Sequence, residues 1–183
     1  MDRQAALKSI REKVTNENLV RHMLATEAIM RALARRLGGN EEEWGLAGLL
    51  HDIDVELTGG DMTTHSKLGA DLARNLGAGE VVAKAILCHN EHHGVKAETP
   101  MEKALFCADP LTGLITAAVL VRPEKKIALL EASSVRKRFK EKSFAAGANR
   151  EQISQCSELG LDLDEFLSIG LEAMKGIAPQ LGF

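Results

Sequence analysis

Residues 41–54 read EEEWGLAGLLHDID, and the order of residue types in this stretch sets the reading of the whole chain. Asn40 followed by three glutamates has the signature of a helix start. An Asn side chain can accept the free N–H groups of the first turn, and negative charge is favourable at the positive end of the helix dipole. From Trp44 onward the run turns apolar. Trp44, Ala47, Gly48 and His51 fall on one face, at the three- and four-residue offsets of an α-helix. The pattern predicts a helix over 41–51 whose inward stripe ends on an imidazole, with the Asp52 carboxylate where the backbone leaves the helix.

The same anomaly recurs along the chain. His22 shares a stripe with Leu19, Ile29 and Leu33. His65 heads one made by Leu68, Gly69, Leu72 and Leu76, and His89 ends one made by Val82, Ala85 and Ile86. Asp109 lies on the face of Leu105 and Thr112. Pro110 follows it and removes the helical hydrogen bond to the Phe106 carbonyl, which predicts a kink beside the carboxylate. Each residue taken singly has a structural explanation: a hydrogen-bonded core histidine, a helix-ending Asp52, an Asp109 paired with Lys103. Together they are harder to place, because an ionised carboxylate buried without a partner costs several kcal/mol or is forced neutral. Two carboxylates and four imidazoles turned inward share one economical counter-ion, a divalent metal. His92 and His93, in HNEHHG (89–94), read as a frayed helix end and loop, where surface polarity and function are equally good explanations.

Apolar periodicity and Gly or Asn breaks predict about nine helices, near 2–14, 16–37, 41–51, 65–76, 80–89, 101–120, 123–131, 149–159 and 163–177. Gly38, Gly77 and Gly94 suit left-handed helix ends. Asp164 is expected to cap the last helix, and 55–64 to form a loop. The chain has no Tyr, one Trp and five Phe, is 45% hydrophobic and 27% charged, and so leans towards helix rather than sheet. The expected fold class is all-α, with a metal-binding catalytic core over 1–122. Residues 123–183, more basic and less hydrophobic, are expected to form a C-terminal helical cap packed on the core. Within that cap RKRFKEK (136–142) reads as a solvated helix face.

The net charge of −3 offers no overall attraction for a polyanion, so no nucleic-acid partner is expected. The first 14 residues lack the apolar segment of a signal peptide. The longest apolar stretch, Leu114 to Val121, is short of the roughly 20 residues a membrane span requires. Cys88, Cys107 and Cys156 are odd in number and widely spaced, which fits reduced thiols in the cytoplasm rather than a disulfide framework.

The order His22, His51-Asp52, His65, His89, Asp109 resembles the HD superfamily of metal-dependent phosphohydrolases. GLLHDID (48–54), HSKLGADLA (65–73) and ALFCADPLTG (104–113) are similar to the corresponding segments of its HDIG-type branch, over roughly residues 16–120. SFAAGANREQI (143–153) is similar to small stand-alone members. The resemblance implies an HD-domain helical bundle in which His22, His51, Asp52 and Asp109 hold one metal. Asp52 would bridge to a second ion held by His65 and His89. Two departures stand out: Ile53-Asp54 replaces Ile-Gly after the pair, and no Gly-Tyr-Pro motif follows His89, which argues against the cyclic-dinucleotide phosphodiesterase branch. A mixed imidazole and carboxylate set suits Mn²⁺, Fe²⁺, Co²⁺, Ni²⁺ or Zn²⁺. The expected reaction is attack of an activated water on phosphorus, with His51 and Asp52 catalytic and Asp52 orienting the water. His92, His93 and Arg150 would contact the phosphate of a small phosphorylated substrate such as a nucleotide. The alternatives are a dinucleoside polyphosphate hydrolase, with extra phosphates reaching Arg136 to Lys142, a di-iron oxygenase-type enzyme, and a non-catalytic nucleotide or metal sensor.

Overall fold

The structure, a computed structural model, describes all 183 residues, and its regular elements are all helices, with no strand: the all-α class expected from composition. Ten α-helices follow one another: α1 (Arg3–Lys13), α2 (Glu17–Leu37), α3 (Glu41–Leu50), α4 (Lys67–Asn75), α5 (Glu80–Cys88), α6 (Pro100–Leu120), α7 (Ala132–Lys140), α8 (Arg150–Ser154), α9 (Leu163–Lys175) and α10 (Ala178–Leu181). Short 3₁₀ turns at Glu91–His93, Ile127–Leu129 and Gln155–Leu159 link some of them.

The hairpin of α2 and α3 positions the site. Gly38 ends α2 in the left-handed region at φ 74°, and the Asn40 side chain accepts the N–H groups of Glu42 and Glu43 to start α3. Such a cap contributes about 1 kcal/mol. The two helices then meet backbone to backbone at Gly48, where an added Cβ would lie 2.8 Å from the Thr26 carbonyl oxygen and 2.9 Å from the Glu27 Cα. Only glycine permits this approach.

Helix α6 runs through the middle of the bundle. It opens on a capping box between Thr99 and Glu102, with Pro100 in the first turn, and remains one unbroken helix through Pro110. By length and composition it is apolar enough to cross a membrane, but Leu105, Leu111, Leu114 and Ile115 are fully buried in the bundle. Forty-five buried residues form one continuous core from Ala6 to Leu181. Phe166 and Leu167 of α9 belong to it, and α9 packs against both α2 and α6.

Three expectations fail locally. Residues 123–131 form no helix beyond the single 3₁₀ turn at Ile127–Leu129. Pro123 follows the end of α6, Lys125 takes φ 48°, and Leu130 and Glu131 are extended, so the helical segment begins only at Ala132. The last long helix is capped by Asp162, which accepts from the Glu165 N–H, and Asp164 lies inside the first turn. His65 precedes α4 rather than opening it, because Ser66, at φ 67°, turns the backbone between them.

Candidate metal centre

His22 comes from the second turn of α2, and His51 and Asp52 follow the last residue of α3. His65 lies just before α4, His89 at the end of α5 and Asp109 in the middle of α6. The fold brings all six together. His22 Nε2 is 3.0 Å from His51 Nε2, 3.1 Å from Asp109 Oδ1 and 3.4 Å from Asp52 Oδ2. His51 Nε2 is 3.5 Å from Asp52 Oδ2 and 3.7 Å from Asp109 Oδ1. On the other side of the Asp52 carboxylate, Oδ1 stands 3.5 Å from both His65 Nε2 and His89 Nε2. Asp52 therefore presents one oxygen to each of two donor clusters.

Ligands about 2.1 Å from a common ion lie about 3.0 Å apart at right angles and about 3.4 Å apart in a tetrahedron. His22 meets that range with His51 at 3.0 Å and Asp109 at 3.1 Å, and these three donors lie close enough together to hold a divalent ion, with Asp52 Oδ2 3.4 Å from His22 and 3.5 Å from His51.

The far nitrogens of the imidazoles point to the same role. His51 Nδ1 donates to the Gly48 carbonyl at 2.8 Å and His89 Nδ1 to the Ile86 carbonyl at 2.5 Å. His65 Nδ1 donates to Asp54 Oδ1 at 2.9 Å. His22 Nδ1 lies 2.7 Å from Thr112 Oγ1, whose own hydrogen is given to the Asp109 carbonyl, so the hydroxyl accepts from the ring. With every Nδ1 a donor, Nε2 of each ring faces the cluster, and it does so as a lone pair whenever the ring is neutral. This is how metal-ligating histidines are held. Two such lone pairs 3.0 Å apart at His22 and His51 repel each other unless positive charge sits between them.

The electrostatics agree. Burial works against the charged forms of Asp52 and Asp109, yet His51 and His22 outweigh it and hold both carboxyls well below the usual carboxylate range. Burial likewise opposes a charged His22, but hydrogen bonds to Asp109 and Asp52 overcome it and push the ring up to about 10. The cluster favours a positive charge between its imidazole and carboxylate donors.

Asp54 was noted in the sequence only as a departure from the family pattern, yet it organises the second cluster. It is fully buried, and besides His65 it accepts the backbone N–H groups of Ser66 and Gly69 through Oδ2, both at 2.8 Å. A Cβ at Gly69 would come within 3.2 Å of this carboxylate. The only signal in the sequence is an Asp where the family pattern has Gly. Asn90, also missed, ties the loop down by donating to the Met62 and His65 carbonyls.

The clusters open into a cavity of 350 Å³ lined by Asp52, His65, His89 and Asp109, with His92 and Gln152 at its walls. Two expected phosphate contacts are placed elsewhere. His93 Nε2 donates to the His65 carbonyl at 2.6 Å, so it braces the loop instead of facing the cavity. Arg150 gives its guanidinium to backbone carbonyls, including Ala145 at 2.8 Å, Ala148 at 2.6 Å and Phe144. That demand leaves no donor for a substrate, and Arg150 lines a different groove. Lys103, the alternative partner for Asp109, pairs with Glu158 instead.

The HD domain family profile matches residues 19–122. The chain belongs to this family, the superfamily of metal-dependent phosphohydrolases that its motif order resembles. Among similar proteins, Ribonuclease Y of Sulfurovum sp. is 32% identical over 139 residues, covering 74% of this chain and 27% of its own length. Ribonuclease Y of Thermotoga petrophila is 32% identical over 142 residues, with the same two coverages. Ribonuclease Y 2 of Levilactobacillus brevis is 34% identical over 101 residues, 53% of this chain and 18% of that protein. The chain thus spans about a quarter of the length of the Sulfurovum and Thermotoga proteins.

Proposed function

We propose that this chain hydrolyses the phosphate ester of a small phosphorylated metabolite, a nucleotide, at the Asp52-centred site. The observation that carries the reading is the pair of lone-pair clusters sharing one carboxylate at the base of a 350 Å³ cavity. His22, His51, Asp52 and Asp109 would hold one divalent ion, and His65, His89 and Asp52 a second. Bound there, such ions supply charge to stabilise a developing phosphorane oxyanion and make water acidic enough to serve as nucleophile near neutral pH. The chain's own contribution is positional. Asp52, 14% exposed, reaches both clusters and can orient a water for attack on phosphorus, and His92 borders the mouth where a phosphate oxygen would lie. The P–O bond to the leaving alcohol breaks as the water oxygen bonds phosphorus.

A second reading is favoured by the relatives' name and by one surface. RNA would be cleaved if its backbone could lie along the 980 Å³ groove lined by Arg136, Lys140 and Lys142. The small substrate is preferred because the chain as a whole is acidic and neutralising many phosphates needs a basic surface. The deciding measurement is kcat/KM for mononucleotides, dinucleoside polyphosphates and single-stranded oligonucleotides at fixed salt, with Mn²⁺, Co²⁺, Ni²⁺, Zn²⁺ or Mg²⁺. Efficient turnover of the oligonucleotide alone overturns the first reading in favour of the second. Asp52→Ala is expected to abolish turnover, and His65→Ala or His89→Ala to lose one of two bound ions by elemental analysis. Full turnover in Asp52→Ala would place the chemistry elsewhere.

A further inference from the structure

A second cavity of 510 Å³ lies between the turn Glu91–Lys96 and the side of α6. It belongs to neither metal cluster. Gly94, at φ 64°, folds the chain back here, and Cys88 Sγ holds the turn through the Lys96 carbonyl at 3.7 Å. The cavity is aligned with the metal centre. Glu91 lines both spaces. Phe106 lines this one and Asp109 the other, three residues apart on one face of α6, or about 4.5 Å along the helix axis. Gln155 and Gln152 repeat the relationship along α8 and the 3₁₀ turn that continues it. The two spaces are therefore neighbours that share Glu91 as a wall.

Chemistry separates this cavity from a second phosphate site. Its charged groups cancel, with Glu91 and Glu158 against Lys96 and Lys103, and Lys103 is paired with Glu158 at 3.1 Å. Such a wall gives no preference to an anion. It suits a neutral, flat, polar-edged heterocycle, for which the half-buried Phe106 ring offers a stacking face and the Gln155 amide both a donor and an acceptor. The size lies within the range of cavities that hold small ligands.

We propose that this cavity binds the nucleobase of the substrate whose phosphate lies against the Asp52 site. The inference rests on reading that site as a phosphohydrolase, and it makes the base, rather than the sugar phosphate alone, the source of selectivity.

The test compares nucleoside monophosphates with ribose 5-phosphate, and adds calorimetric titration of phosphate-free adenosine and cytidine into the full chain. The wild type is expected to favour a nucleotide over ribose 5-phosphate in kcat/KM by at least about tenfold, the scale of one base stacked on an aromatic ring. Phe106→Leu should shrink that preference about tenfold, mainly through KM, and weaken nucleoside binding to match. Gln155→Ala, an exposed position that leaves the core intact, should change the ranking among bases. No preference for nucleotide over ribose 5-phosphate, or variants that lower both alike, would overturn the base pocket while leaving the phosphohydrolase standing. Nucleoside binding that is lost in Phe106→Leu, with no phosphate released from any substrate, would support the pocket and overturn the activity. Failure of both nucleosides to bind would overturn the pocket.

Discussion

His22 and His51 face each other through Nε2 because their other nitrogens are already committed, and that commitment can be tested one atom at a time. Thr112→Val keeps the shape of a buried side chain but removes the only acceptor for the His22 Nδ1–H. Orienting partners of this kind are worth about 10–100-fold in metal affinity. Calorimetric titration with Mn²⁺ or Zn²⁺ should show a loss of that size, and wild-type affinity would mean that Thr112 orients nothing. Asp54→Asn asks the same of the second cluster. The amide cannot accept from Ser66, Gly69 and His65 together, so one buried donor is left unpaired at a cost of about 2 kcal/mol. Urea unfolding of chelator-treated protein should report that loss without any contribution from metal, and titration should report weaker binding of the second ion. Of these supporting residues the chain order hints only at Asp54. Thr112 lies 90 residues from His22, and no local pattern links them.

The elements were largely readable where their signals are local. Asn40 as a cap, Gly38 and Gly94 in the left-handed region, and the apolar stripes of α2, α3 and α6 all follow from side chains acting on their own turn. The reading failed over 123–131, where the apolar residues suggested a helix but Pro123 and the left-handed Lys125 turn the backbone first. At the element scale the site depends on how closely α2 approaches α3. Gly48→Ala would put a methyl group 2.8 Å from the Thr26 carbonyl, and backbone cannot swing away as a side chain can. The helices must separate, at an expected cost of about 2 kcal/mol. Because His22 and His51 sit on opposite sides of that contact, metal affinity should fall with stability. A stable variant with unchanged metal affinity would show that the close approach is incidental to the site.

At the scale of the molecule, one core joins the helices before residue 122 to those after it, with Phe166 fully buried among them. Phe166→Ala should cost about 3–5 kcal/mol and still unfold in one step. Trp44, the single tryptophan, stands in α3, so its fluorescence and the far-UV circular dichroism should change at the same urea concentration. Helicity lost before the Trp44 signal would show that the C-terminal helices unfold by themselves. The amino-acid sequence alone determined the helical class, most helix starts and stops, and the inward placement of six ligand-type side chains, because periodicity and capping act over a few residues. Only the tertiary structure decided which nitrogen of each histidine faces the cluster, that Arg150 serves backbone carbonyls rather than a phosphate, and that Gln152 and Gln155 line two adjoining cavities. Those outcomes depend on neighbours that meet only when distant helices pack, and the spacing of residues along the chain carries no record of such meetings.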